Sequence, residues 1–407
     1  MYADYVASGR SLGFIEDYIR EEVLPLYGNT HTTASATGLQ STLFRAEARA
    51  IVHRGVGGSK DDVVLFAGSG STAAQMLLCR VLGLQSWRGS TAQTASPPVA
   101  PVVFVGPFEH HSNLLPWREA GCTVVTIPLL APAHIGSHRT VQLDLLELER
   151  QLVHFADRSF KLGSFSAASN VTGIYFSCDT VNAITALLHR HGALSCWDYA
   201  SAGPYMDIAM NPMPPAEASS EVNSVSRAGS EIRGSRQLYA KDAIILSPHK
   251  FIGGVSTPGV LVIKRSLLTN RVPAAPGGGT VFFVSDHGHR YLENHEEREE
   301  GGTPDIVGAV RCGLVFQLKE AVGTATIRAR ERAYATQALQ SLGANPRIVL
   351  LGPVDCDRLP IISFLIKPSA VKGGKACVTI LNSLGCVDLS PCVSQACFST
   401  TTSFARC

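Results

Sequence analysis

The stretch AIILSPHKFIGG (residues 243–254) sets an apolar run directly before Ser247, His249 and Lys250, with glycines close behind. Apolar residues ended by polar and flexible ones read as a buried strand and the loop at its mouth. Lysine is costly to bury. A lysine in that place suggests an amine kept in a pocket, where its pKa falls and it becomes able to form a Schiff base. The plainer reading is a lysine whose ammonium reaches out to water from a strand end. On this stretch alone the two readings stand level.

Outward from it, strand-like runs alternate with helical patterns through the first two-thirds of the chain. VVLFAGS (63–69) precedes STAAQMLLCRVLGL, and PVVFVGP (101–107) precedes a helix from His111 to Trp117. CTVVTIPL is followed by the helical spacing of LDLLELERQLVHF. SFSAASN leads to the helix VNAITALLHRHG and the strand ALSCWDY, and AIILSPHK and PGVLVIKR close the series. Such alternation predicts a large three-layer α/β/α domain on a mostly parallel sheet, over residues 31–265 after an N-terminal segment 1–30. Two Ser/Pro-rich stretches, 88–100 and 211–236, read as insertions. From residue 266 to 407 the pattern changes to a smaller α+β domain. Its expected elements are helices near Asp305–Val322 and Ala325–Leu342, the strand LPIISFLIK and the helix KACVTILNSLG. The tail 385–407, dense in Cys, Ser and Thr, has no clear periodicity.

A chain of 407 residues with 45% hydrophobic and 17% charged residues is globular with a large core, not disordered. A formal charge of +2 calls for neither nucleic acid nor an anionic membrane as partner. No apolar run reaches the roughly 20 residues of a spanning helix. MYADYVASGRSLGF resembles neither a secretory signal nor a transit peptide, so the expected location is cytoplasmic. The 11 cysteines include no C-x-x-C pair, so no metal site is expected.

Three further stretches carry chemistry. In LSCWDYASAG (194–203), Asp198 ends an apolar strand, where open α/β sheets bind ligands. A buried carboxylate there can keep a pyridinium nitrogen protonated, although capping the next element is the commoner use of such an Asp. In AGSGSTAA (67–74), Ser71 and Thr72 open a helix whose amides can hold a phosphate. Gly68, Gly70 and Ala73 also fit the dinucleotide fingerprint, but no strand-end acid follows about 20 residues on. In PFEHHSNLLPW (107–117), His110 can stack on a flat heterocycle or shuttle protons, or be simply structural.

In this order, from about Tyr27 to Leu384, these residues resemble the class V aminotransferase family, in its cysteine desulfurase and selenocysteine lyase branch. YGNTHTTASATG, AGSGSTAA, EHHSNLLPW, SNVTG, WDYASAG, SPHKFIGG and REEGGTP each stand near a family motif. The resemblance implies the fold type I of pyridoxal-5′-phosphate (PLP) enzymes, with a small C-terminal domain and a homodimer. It gives Lys250 to the cofactor as an aldimine, Asp198 to its ring nitrogen and His110 to stacking over the ring. Asn170 falls to the phenolic oxygen, and Ser201 stands where the family usually has Gln. Ser71, Thr72, Ser247 and His249 fall to the phosphate. Thr280, in PGGGT (276–280), is implied to reach the partner subunit's phosphate. Lys250, Asp198 and His110 are the expected catalytic residues, and the substrate is a small amino acid.

The departure lies at the end. The family supplies an Arg and a nucleophilic Cys in an R-x-G-x-x-C-A context. After Gly385 this chain has no Arg before Arg406, and no Cys in that context. Cys386, Cys392 and Cys397 are nucleophile candidates by proximity alone, and a truncated or altered small domain is expected. The activity expected is desulfuration, the alternatives being a class V transaminase or other lyase, or a catalytically impaired scaffold.

Overall fold

A computed structural model describes residues 4–30, 34–84, 99–130, 138–213 and 237–367, with Tyr2, Thr32 and the strands within 133–135, 379–382 and 385–388. The insertion readings at 88–100 and 211–236 fall mostly outside the described residues, as do Cys392 and Cys397.

The chain opens with α1 (Gly13–Tyr18) and α2 (Ala36–Gly55), then β1 (Asp62–Ala67), α3 (Gly70–Val81) and β2 (Val102–Val105). Next come α4 (His111–Glu119), β3 (Thr123–Thr126), the short pair β4 (Ala133–Ile135) and β5 (His138–Thr140), and α5 (Leu145–His154). They lead to β6 (Lys161–Ser166), α6 (Cys178–Arg190), β7 (Leu194–Asp198), β8 (Ala243–Leu246) and β9 (Gly259–Lys264). A hairpin of β10 (Val281–Ser285) and β11 (Gly288–Tyr291) precedes α7 (His295–Glu299), α8 (Ile306–Val322) and α9 (Thr324–Gly343). The last strands are β12 (Ile348–Leu350), β13 (Phe364–Ile366), β14 (Thr379–Asn382) and β15 (Gly385–Asp388).

The central seven-stranded sheet has the order β1-β9-β8-β7-β6-β2-β3. Pairs from β3 through β8 are parallel, whereas β9 runs antiparallel to both β8 and β1. Strand side chains alternate between faces, so apolar runs such as DVVLFA must meet a helix layer on each side. Val64, Phe66, Phe104, Trp197 and Ile244 join the core formed with α2, α5, α6 and α8. Val63, Leu65, Val103, Ile245 and Leu261 join the one formed with α3. Each large side chain so buried contributes roughly 1.5–3 kcal/mol. The three-layer expectation holds.

Local chemistry sets the helix starts. The side chains of Asp144, Ser177 and Asp305 accept from the backbone N–H groups of Glu147, Thr180 and Gly308, satisfying donors that α5, α6 and α8 leave open. Among the described residues no helix is long and apolar enough to cross a membrane.

Two expectations need correction. The segment read as the helix KACVTILNSLG contains β14, paired antiparallel with β15 so that Asn382 faces Gly385. The adjacent β-branched Val378, Thr379 and Ile380 favour a strand. LPIISFLIK is a strand only at Phe364–Ile366, which pairs with β12.

Candidate active site

Because β9 reverses twice, β1, β2, β6, β7 and β8 all end at the same edge of the sheet. A cleft of about 850 Å³ opens there. Into it come Gly68–Thr72 after β1, His110 after β2, Asn170 beyond β6, Asp198 at the end of β7 and Ser201 beyond it. Ser247, His249 and Lys250 follow from β8. Of the described residues expected to hold the cofactor or to act in catalysis, Thr280 alone stays outside. It is fully buried, and its hydroxyl donates to the carbonyl of Gly277 at 2.6 Å. Cys386 lies in β15, for which only the strand is described.

The turn after β1 fits an anion. Ser69, the cap residue of α3, gives its side chain to no backbone N–H of that helix, and a helix start of this kind suits an anion. Ser71 N–H donates to Ser247 Oγ at 2.9 Å, and Thr72 Oγ1 lies 2.7 Å from Ser112 Oγ. Gly70 has φ +57°, and a Cβ on it would come within 2.7 Å of the His249 ring. The cradle is open because this residue is glycine.

Around the lysine, charge and burial oppose each other. Burial pushes the Lys250 amine below the usual lysine range, against the pull of Asp198 and then Asp4. Burial likewise raises the Asp198 carboxyl, while the Ala200 N–H, 2.8 Å from Oδ1, and then Lys250 draw it down. Among the described residues Oδ2 has no hydrogen-bond partner, which suits an N–H presented by a ligand. His110 Nδ1 accepts the Ser112 N–H at 3.1 Å, so the neutral ring carries its proton on Nε2. Burial, then Lys250, keeps that imidazole below its ordinary pKa, as it does His249.

Some residues of the site escaped the sequence reading. Glu109, next to His110, accepts from Gly106 N (3.0 Å) and Ser166 N (2.9 Å) through Oε1. Its Oε2 accepts from Ser166 Oγ (2.8 Å) and Asn113 Nδ2. The carboxylate so ties β2, β6 and α4 together beneath His110, and burial pushes its pKa up to about 7. Asp4, Val6 and Ala7 form part of the cleft lining, as do Ser256 and Asp305. No periodicity marked them, since they reach the site by long-range packing. REEGGTP serves the scaffold: Glu300 accepts from Phe66 N at 2.6 Å and pairs with Arg45 and with Arg49, the latter at 2.9 Å. No group of three or more His, Cys, Asp or Glu that could hold a metal occurs among the described residues.

The Aminotransferase class-V family model matches residues 1–214 and 233–384. A probable cysteine desulfurase of Halalkalibacterium halodurans is 25% identical over 343 residues, 83% of this chain and 70% of that protein. A cysteine desulfurase of Klebsiella pneumoniae is 23% identical over 372 residues, 89% of this chain and 77% of that protein. Among solved structures, a cysteine desulfurase from Thermococcus onnurineus superposes with a TM-score of 0.65 at 20% identity, covering 92% of this chain and 79% of that one. One from Escherichia coli gives 0.61 at 20% identity over 89% and 78%. These structures share the fold of this chain.

Proposed function

The chain belongs to the class V aminotransferase family, and from that premise we propose that it is a PLP-dependent enzyme of fold type I acting on a small amino acid, with cysteine desulfuration as its reaction. One observation carries the reading: an α3 start without a cap from its own Ser69, a buried carboxylate, an imidazole and a half-buried lysine meet in one cleft. The donor set fits the cofactor, with Ser71, Thr72, Ser247 and His249 for its phosphate, Asp198 for its ring nitrogen and Asn170 and Ser201 for its ring substituents.

Bound there, PLP supplies an electron sink for negative charge at the substrate Cα. The residues supply the rest. Lys250 Nζ, disfavoured as an ammonium by burial, is placed to take a proton from the substrate. Asp198 would hold a proton on the cofactor's ring nitrogen, and His110 offers Nε2–H on a neutral ring. Ser247 Oγ, fixed by the Ser71 N–H, and His249 keep an anion against α3.

A homodimer belongs to the same proposal. Phe282, Phe283 and Val284 on β10 are 71%, 50% and 68% exposed, an apolar patch suited to a second copy. Thr280 joins a site there only if its bond to Gly277 opens. The division at residues 30 and 265 is retained as part of this reading.

A second reading rests on one observation: no arginine lines the cleft among the described residues. A substrate carboxylate then lacks its usual anchor, which favours a transaminase or lyase of another small amine, or an impaired scaffold. The test is the visible absorption of the full chain with PLP, wild type beside Lys250→Ala, before and after borohydride. A band in the wild type alone is expected, followed by alanine from cysteine and, with a dithiol reductant in the assay to reduce the sulfur released, sulfide. A keto acid product selects the transaminase, and a colourless wild type selects the scaffold.

A further inference from the structure

The cleft has a second wall, built from the stretch Asp4–Arg10 and laced to the lysine loop on both sides of Lys250. Gly9 N–H donates to the carbonyl of His249 at 2.7 Å, and Ser8 Oγ donates to the same oxygen at 3.3 Å. Beyond the lysine, Gly253 N–H donates to Arg10 O at 2.7 Å. The approach is so close that a Cβ on Gly9 would lie 2.0 Å from the carbonyl oxygen of Phe251. The turn before it is closed locally. Ala7 and Ser8 N–H groups donate to Asp4 O at 3.2 Å, and Tyr2 OH donates to Asp4 O (2.8 Å) and Ser8 O (2.9 Å). The Arg10 guanidinium sits 5.7 Å from the centre of the Tyr2 ring.

A strap held this way has a fixed inner face, and that face carries Asp4, Val6 and Ala7. Among the described residues three carboxylates line the cleft. Asp198 receives the Ala200 N–H, and Asp305 caps α8 through the Gly308 N–H at 2.8 Å. Asp4 belongs to neither the sheet nor a helix, and its field reaches Lys250. The other titratable groups around the lysine are His249 on its own loop and His110 from beyond β2.

We propose that the Asp4–Arg10 strap is a working wall of the site and that Asp4 is a specificity-determining residue, its carboxylate drawing in the ammonium of the incoming substrate opposite the sheet. Val6 and Ala7, beside it, restrict that substrate to a small side chain. The substrate role rests on the proposed function, whereas the seating of the strap does not.

The test begins without cofactor. In the full chain, acetylation of Lys250 by acetic anhydride is followed against pH by mass spectrometry, for wild type and Asp4→Asn. Loss of the negative charge destabilises the Lys250 ammonium, so its titration midpoint falls by at least about half a unit in the variant. With PLP bound, Asp4→Asn raises KM for the amino substrate about 5–10-fold and changes kcat less than about twofold. Asp4→Glu recovers most of the difference. An unchanged acetylation profile in Asp4→Asn overturns the strap as a charged wall. A shifted profile with an unchanged KM overturns the substrate role. A wild type that binds no PLP sinks the proposed function instead, and the acetylation profile still decides the role of Asp4 toward Lys250.

Discussion

Among the described residues two clefts of nearly equal size, about 850 and 900 Å³, differ sharply in how they are built. The first stands at the ends of largely buried strands, which bring Asp198, Ser247 and His110 together. The second lies between α9 and residues 354–360, beside Tyr175 and Tyr205. α9 buries only Ala335, whereas the preceding α8 buries a run from Ile306 to Phe316. The thiol of Cys356, in the second cleft, donates to Pro353 O at 3.2 Å, and burial pushes its pKa up, so it stays a thiol. Arg332 and Asp357 pair there at 3.7 Å with most of both side chains in water. Volume does not mark a site. Polar and titratable side chains that converge from the ends of strands of one sheet do.

The sharpest way to break this contrast is to disable one residue from each cleft. Lys250→Ala is expected to lower turnover at least about a thousandfold and abolish the borohydride-sensitive band. Cys356→Ser should change either readout by less than about twofold. Equal losses would show that the second cleft takes part in the reaction.

The support beneath the first cleft gives the next effect. Glu300→Gln leaves Arg45 and Arg49 charged and only partly paired under β1, which costs about 3–5 kcal/mol by urea unfolding.

Glu109 sharpens the comparison through pH. Its folded pKa of about 7 lies above the ordinary 4.5, so between those values the folded chain keeps a proton that the unfolded chain has released. Stability from this group is therefore fully present below about pH 4.5 and is lost as pH rises to about 7. Glu109→Gln is expected to flatten that slope, worth on the order of 1–3 kcal/mol, in thermal unfolding followed from pH 5 to 8. Glu331 of the second cleft is shifted in the same direction by burial but only half-buried, so Glu331→Gln should alter the slope less. The smallest effect is expected from Arg332→Ala, within about 1 kcal/mol by the same urea titration.

What the sequence disclosed was the half of the molecule governed by local rules. An apolar run that stops at a polar residue marks a strand end, and Asp198, Ser247 and Lys250 all sit at such stops. Strand order along the sheet then made them neighbours. Asp4 and Gly9 carry no such mark, because their partners lie across the fold and only the packed structure brings them together. Glu109 was passed over for a related reason: its partners come from three different elements. The KACVTILNSLG segment misled because a helical spacing of apolar residues coincides with a β-branched run, and periodicity alone does not separate the two.

The strap has a consequence for how the protein is made. Ser8 and the carbonyl it caps are 241 residues apart. At about 5–20 residues per second, a ribosome needs roughly 10–50 s to bring the second after the first. Through that interval the strap has nothing to dock against, and the cleft lacks both its lysine and its wall. The strap can dock only once residues 249–253 have been made, and a single docking event then completes both sides of the cleft at once.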